Sequence, residues 1–351
     1  MNIDLVFSDE DLDLEIAENE LRHRLPREFI GRFFNEDVSD NVFREQYRVP
    51  RAVLDFLETR LKDDLQHYTK RNKSISVRFQ IMVFLHFIGT NVFFHVLRDC
   101  HGISTNTVYR IIHSVGEAIF NIRQEIIKWP NDCSTLPQKF MEIGGFPSVC
   151  GVLDGSHILI SNPPNADEDS LINRHHVHSI NAMAVCGPDT SIFYASTNSP
   201  GRWHDAHVLR NCNLWNKFEI GELPFNGAVI LADSAYPCRE WLIPPFPSDL
   251  GRAQKRFNIA QRKTRNIIER CFGIIKNRFY ALKTGIRLHK VEDASKLIMC
   301  GFVIHNLCIR HGDNGNDFEE RIEEQVDENI FQENQNDIAL NRRLQLLYNF
   351  T

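Results

Sequence analysis

Four acidic residues draw attention by where they fall. Asp154 closes the apolar run GVLDGSHI and is followed by Gly155, and Asp233 closes AVILADSAY. Glu269 lies inside the helical pattern RKTRNIIERCFGIIKNRF, and Asp205 lies in SPGRWHDAHVLR. Open α/β sheets present their sites beyond the carboxyl ends of strands. Two Asp at two such ends, with a Glu from a covering helix, can therefore converge on one point. Like charges gathered there repel unless a cation neutralises them. Mg2+ or Mn2+ suits the task, because such an ion takes a few carboxylates, keeps several waters and leaves room for phosphate oxygens. Two ions ~3.5–4 Å apart activate a water or a 3′-hydroxyl and stabilise the leaving oxygen of a phosphodiester. Asp154, Asp233 and Glu269 are thus the expected catalytic metal ligands. Asp205 is a fourth candidate, whose alternative role is a helix N-cap.

The surroundings of Glu269 favour anionic substrate or metal. Residues 251–290 carry twelve Lys or Arg and one acid, and that acid is Glu269. Arg262, Arg265 and Lys276 on the same helix are candidates to hold DNA phosphates. The histidines His175, His176 and His178, with His204 and His207 beside Asp205, suggest zinc less well. In HHVHSIN the expected strand puts His176 and His178 on one face, yet no Cys spacing completes a site. His157 is expected on the sheet face opposite Asp154. Trp203, Tyr236 and Trp241 are candidates for base stacking, with core packing as the alternative.

Those residues need elements to position them. SVCGVLDGSHILI, HHVHSINAMAVCG, SIFYASTNS and GAVILADSAY are short, β-branched and bounded by turn residues, and they read as four strands. The stretches IAQRKTRNIIERCFGIIKNRFYALK and VEDASKLIMCGFVIHNLCIRHG follow with helical period. A three-strand meander followed by alternating helix and strand predicts an α/β sheet with helices on its faces. Upstream, AVLDFLETRLKDDL and RFQIMVFLHFIGTNVFFHVL repeat apolar residues at three- and four-residue spacing. FFHVLRDCHGISTNTVYRIIHSVGEAI has the outline of a helix-turn-helix: a helix ending near Cys100, a turn at Gly102, and Ser104 placed to cap the next helix. Thr105, Asn106 and Arg110 then lie in its first turns, where a major groove is read. A plain structural hairpin is the competing account.

Composition narrows the class. The chain has 351 residues, 42% apolar and 25% charged, an ordinary globular balance. No apolar run reaches the ~18 residues of a membrane helix. The acidic start MNIDLVFSDEDLDLE is not expected to be a secretory signal. Nine cysteines without a CxxC predict no disulfide scaffold and a reduced, intracellular protein. The net charge of −6 hides an asymmetry. Residues 1–20 hold eight acids and no Lys or Arg, and residues 312–340 hold ten acids and one Arg. The remainder has 39 basic and 28 acidic residues, a net of +11. A basic body with acidic ends fits a nucleic-acid binder, and the tails themselves read as solvated and disordered. Residues 312–337 are of low complexity.

In chain order the motifs are GVLDGSHI, NPPN, HSINAMAVC, SPGRWHDAHVL, ADSAYP, WLIPPF, RFNIAQRKTRNIIERCFGIIKNRF and VIHNLCI. This ordered set resembles the PIF/Harbinger transposases and their domesticated relatives, the Harbinger transposase-derived nucleases, over about residues 46–311. The resemblance implies an RNase H-like DDE nuclease fold: α/β, a mixed sheet with flanking helices, preceded by an all-α helix-turn-helix region. It implies a divalent-metal cluster of Asp154, Asp205, Asp233 and Glu269, with 35 residues between Asp233 and Glu269. The expected division is an acidic lead-in 1–45, a helical region 46–128, a connector 129–147, a nuclease domain 148–311 and an acidic tail 312–351. The implied activity is metal-dependent DNA cleavage, with strand transfer in a still-mobile element. Relatives commonly work with a separate Myb-like DNA-binding protein, and the expected location is the nucleus, with the cytoplasm second. A homo-oligomer is also allowed for. Ala232 and Ala235 around Asp233, and Arg202-Trp203 before the His-Asp pair, depart from the family pattern, which bears on substrate fit and leaves the carboxylates in place. The rival functions are a non-catalytic DNA-binding or partner-scaffold protein and, more weakly, a ribonuclease.

Overall fold

A computed structural model of the chain describes residues 38–66, 74–161, 168–247, 251–288, 290–319 and 337–350. The NPPN motif, most of the acidic lead-in and residues 320–336 of the acidic tail lie outside the described residues.

The first half is helical: α1 (Asp40–Tyr47), α2 (Arg51–Arg60), α3 (Lys62–Leu65), α4 (Val77–Thr90), α5 (Phe94–His101), α6 (Thr105–Asn121), α7 (Arg123–Ile126) and α8 (Leu136–Gly144). α1 begins inside the stretch read as acidic lead-in. α8 occupies the stretch read as a connector: Pro137 is tolerated there because the first helical turn has no use for its missing N–H. The run RFQIMVFLHFIGTNVFFHVL makes two helices, since Asn91 turns left-handed (φ 55) after α4. α4 is buried along most of its length, as a helix at the middle of a bundle must be.

The second half contains β1 (Val149–Leu159), α9 (Glu168–Leu171), β2 (Ser179–Cys186), β3 (Ile192–Pro200), α10 (Asp205–Arg210), α11 (Asn213–Glu219), β4 (Val229–Leu231), β5 (Leu242–Ile243), α12 (Arg252–Arg278), α13 (Tyr280–Thr284), α14 (Val291–Arg310) and α15 (Asp337–Leu347). The five strands form one mixed sheet in the order β3-β2-β1-β4-β5. β1–β2 and β2–β3 are antiparallel, whereas β1–β4 and β4–β5 are parallel. β5, two residues long, carries no periodicity to read.

The sheet is buried on both faces. Val152, Ala182, Ala184, Leu231 and Ile243 share one core with α12, α14 and helices of the first half. Leu153, Met183, Val185 and Ile230 pack on the other side against α10, α11 and Trp241. The alternation of a strand sends neighbours to opposite layers, so β1 serves both.

An ion cluster ties α1 to the end of α12. Arg278 is 0% exposed and donates to both oxygens of Asp313 at 2.8 and 3.0 Å. Arg44 of α1 donates to the same carboxylate at 2.8 and 2.9 Å. Both guanidiniums also lie over the Phe318 ring. Burial raises the Asp313 carboxyl, but the hydrogen bonds and charges of Arg44 and Arg278 outweigh it and hold the group well below the usual carboxylate range.

The tail is not wholly solvated. In α15 and after it, Arg343 is buried and donates to the Pro245 carbonyl, Arg342 donates to that of Gly227, and the Phe350 ring packs on Phe146 and Phe257.

Replacing Asp313 with Ala leaves the buried Arg278 charge uncompensated and is expected to cost about 3–5 kcal/mol in chemical denaturation. The carboxyl is depressed on folding, so its contribution is complete above about pH 4 and lost as pH falls further. Asp313→Asn should therefore flatten the acid side of the stability profile.

Candidate active site

The parallel ladder between β1 and β4 ends at the pair Val152 and Leu231. Two residues further along each chain stand Asp154 and Asp233. Asp233 follows the end of its strand, as expected. Asp154 does not: it lies in the middle of β1, which continues antiparallel to β2 as far as Leu159. Gly155 punctuates nothing here. It leaves room for the Asp205 side chain. The Asp233 carboxylate accepts from the backbone N–H of Ala235 at 2.9 Å, which fixes the turn leaving β4.

α12 crosses this edge and is fastened to it at three levels. Gln261, 1% exposed, donates to the Ala232 carbonyl at 2.6 Å, next to Asp233. One turn later Arg265 donates to Asp154 Oδ2 at 3.1 Å and pairs with Glu269 Oε1 at 2.5 Å. Further along, Lys276 Nζ donates to the His157 carbonyl at 3.2 Å. Residues 265, 269 and 276 fall on one face of a 3.6-residue helix. Asp154 and Glu269, far apart in the chain, thus meet on a single guanidinium.

Asp205 reaches β1 from the other layer. It is the first residue of α10, whose N-cap position is His204, so the expected N-cap role does not apply. Its Oδ1 instead accepts from Asn181 Nδ2 at 2.7 Å, and Asn181 also donates to the Trp203 carbonyl at 3.0 Å. A Cβ on Gly155 would overlap Asp205 Oδ1 and stand 3.0 Å from Asn181 Oδ1. The glycine is therefore what admits the carboxylate.

The electrostatics follow from this crowding. Burial pushes the Asp154 carboxyl well above its ordinary value; Asp233 and Asp205 add to the rise, and Arg265 opposes it. Burial lowers the Arg265 guanidinium, but Asp154, Glu269 and Asp233 outweigh it and leave it raised. Tyr236, fully enclosed beneath the site, has its phenol raised by burial and by the charges of Asp205, Asp154 and Asp233. Burial lowers the Lys276 amine and the His157 imidazole, the latter against the pull of Asp205.

Among the described residues no three His, Cys, Asp or Glu side chains stand together closely enough to hold a metal ion as the chain stands. The donor chemistry nevertheless suits a hard divalent cation, since every candidate ligand is a carboxylate oxygen. Two buried polar atoms at the site, the Tyr236 hydroxyl and Asn181 Oδ1, have no hydrogen-bond partner among the described residues. A buried polar group normally has one, so the pocket is polar beyond what its own side chains satisfy.

The remaining expected residues divide. Arg262 is exposed, whereas Arg265 is occupied by the carboxylates and Lys276 is largely buried on a backbone carbonyl. Thr105, Asn106 and Arg110 are exposed on α6. The α5 helix ends at Gly102 in the left-handed region (φ 62), and Ser104 Oγ accepts from Thr107 N at 3.2 Å. The His175–His178 stretch is not strand: His176 has φ 59, and Asn173 Oδ1 accepts from the backbone N–H groups of His175 and Val177. His157 bonds Ser179 Oγ at 3.1 Å, Tyr236 and Trp241 are core residues, and Trp203 is partly exposed. Gln261 and Asn181 were not singled out from the sequence. Their one signal is a polar residue in a run that is otherwise apolar or basic.

A sequence model of the DDE superfamily endonucleases matches residues 153–306. The protein named "Putative nuclease HARBI1" from Homo sapiens is 31% identical over 81% of this chain and 82% of its own length. The Mus musculus protein of that name is 32% identical over the same shares. "Protein ALP1-like" from Arabidopsis thaliana is 22% identical over 80% of this chain and 74% of its own length. No solved structure matches.

Gly155→Ala drives a methyl against Asp205 and Asn181 and should lower the unfolding free energy by about 1–3 kcal/mol. Gly273→Ala, inside α12 and with nothing within 4 Å of the added Cβ, should instead raise it by roughly 0.5–1 kcal/mol. Urea denaturation of the two variants checks the opposite signs.

Proposed function

The chain belongs to the DDE superfamily endonucleases, among the Harbinger-derived nucleases, and on that premise we propose that it is a divalent-metal-dependent DNA endonuclease of transposase origin. The observation that carries the reading is the convergence on Asp154: Glu269 meets it through Arg265, and the charges of Asp233 and Asp205 act on its carboxyl. A buried carboxyl with two further acids acting on it and a third sharing its arginine costs stability, and a fold retains such an arrangement for use.

In this reading Asp154, Asp233 and Glu269, with Asp205, hold Mg2+ or Mn2+. When bound, the two ions supply Lewis acidity and ease ionisation of the attacking water. The chain's own residues do the rest. Asn181 keeps Asp205 turned toward β1. Gln261 holds the turn that carries Asp233 against α12. Exposed Arg262 binds the phosphate backbone, as do Arg265 and Lys276 once released from their present partners. Thr105, Asn106 and Arg110 on the exposed side of α6 meet the duplex as the reading helix of a helix-turn-helix. The enzyme would work in the nucleus, with a separate Myb-like DNA-binding protein supplying sequence preference.

One observation favours a second reading, a DNA-binding scaffold that no longer cuts. Arg265 already compensates two of the acids, which is how a retired site would look.

Asp154→Asn decides between the two. Mg2+- or Mn2+-dependent nicking of plasmid DNA is expected to fall on the order of a thousandfold or more, with DNA binding retained. Nicking that survives the change would rule out this site. An unaltered protein that binds DNA but never nicks it, with either ion, would establish the scaffold.

A further inference from the structure

The Arg265 side chain has a role that phosphate binding does not cover. Its side chain is only 16% exposed, and both of its ion pairs run to acids, Asp154 at 3.1 Å and Glu269 at 2.5 Å. A guanidinium is planar and offers several N–H donors in a fixed fork, so Arg265 meets each carboxylate with a separate nitrogen, Nη1 on Asp154 and Nη2 on Glu269, where a lysine would bring one. Asp154 itself is 16% exposed and Glu269 31%. Without a cation between them, two such poorly hydrated acids would repel each other and Asp233 as well.

We propose that Arg265 is the resident counter-ion of the site: it holds Asp154 and Glu269 together while no metal is bound and gives way when a divalent cation binds. Metal loading is then an exchange of one cation for another, and the free chain is kept folded and closed to chance metals. The inference rests on the metal reading of the site given above. A purely structural salt bridge makes the opposite prediction. There, removing the arginine lets the carboxylates spread, and metal binding weakens or stays the same.

The test is Mn2+ binding by calorimetry on the full chain, with thermal unfolding followed in EDTA and in Mn2+. Arg265→Met should bind Mn2+ about tenfold more tightly than the unaltered protein, since its internal competitor is gone. Its Tm in EDTA should fall, and Mn2+ should restore it. Lys263→Met removes an equal charge from an exposed position of the same helix and should change neither. If Arg265→Met fails to fold, Arg265→Lys decides in the same titration, because a shorter side chain with a single nitrogen holds the two acids less firmly and tighter binding is again expected. Affinity unchanged or weakened in the folded variant overturns the exchange. Asp233→Asn separates this failure from that of the underlying reading. If it weakens Mn2+ binding while the arginine variants do not tighten it, only the exchange falls. If it leaves binding unaltered, the metal site itself falls.

Discussion

Mutual repulsion among acids removed from water is the constraint to which the rest of the molecule answers. Asp154 lies in a strand buried on both faces, with Asp233 beside it and Asp205 behind it. Each must be held, because a carboxylate free to move would leave the pocket for solvent. Asp233 is held by the turn after β4, Asp205 by Asn181, and Asp154 and Glu269 by one arginine. These are directional bonds, and the two made by Arg265 have a charged donor, the stronger kind of hydrogen bond.

α12 carries most of that restraint. At about 1.5 Å per residue, its 27 residues span roughly 40 Å, enough to touch the Asp233 turn, the middle of β1 and the helical half. Gln261, Arg265 and Lys276 fasten it to the sheet. Arg278, at its far end, locks it to Asp313 and through Arg44 to α1. Because the same rigid element carries Glu269 and the Arg278 anchor, loosening the anchor should reach the site without any contact to it.

Much of this was readable in the residues. Glu269 announced itself as the lone acid in a basic strip, and Asp233 as the end of a short apolar strand. Ser104 and Gly102 marked a helix start and a turn that the backbone adopts. The errors share a cause, which is that local punctuation is ambiguous without tertiary pairing. Gly155 read as the end of a strand, whereas it is the space that Asp205 fills. The stretch 129–147 read as a connector, whereas Pro137 stands in the first turn of α8. HHVH alternated like a strand, but Asn173 bonds two backbone N–H groups there and turns the chain. α15 hid beside an acidic run, because half-buried Arg342 and buried Arg343 look like solvated charge until Gly227 and Pro245 are seen to accept from them. No periodicity announces Asn181 or Gln261, whose value lies wholly in what they touch.

The helical half is no appendage. Val108, Ile111, Ile112 and Val115 of α6 belong to the same continuous core as α14 and one face of the sheet. With that face committed inward, the exposed positions of α6 are fixed by exclusion: Thr105, Asn106, Tyr109 and Arg110 must point to solvent. The packing of α6 therefore leaves Thr105, Asn106 and Arg110 facing outward, while Tyr109, on the same side, still lays its ring against Phe94 and His113.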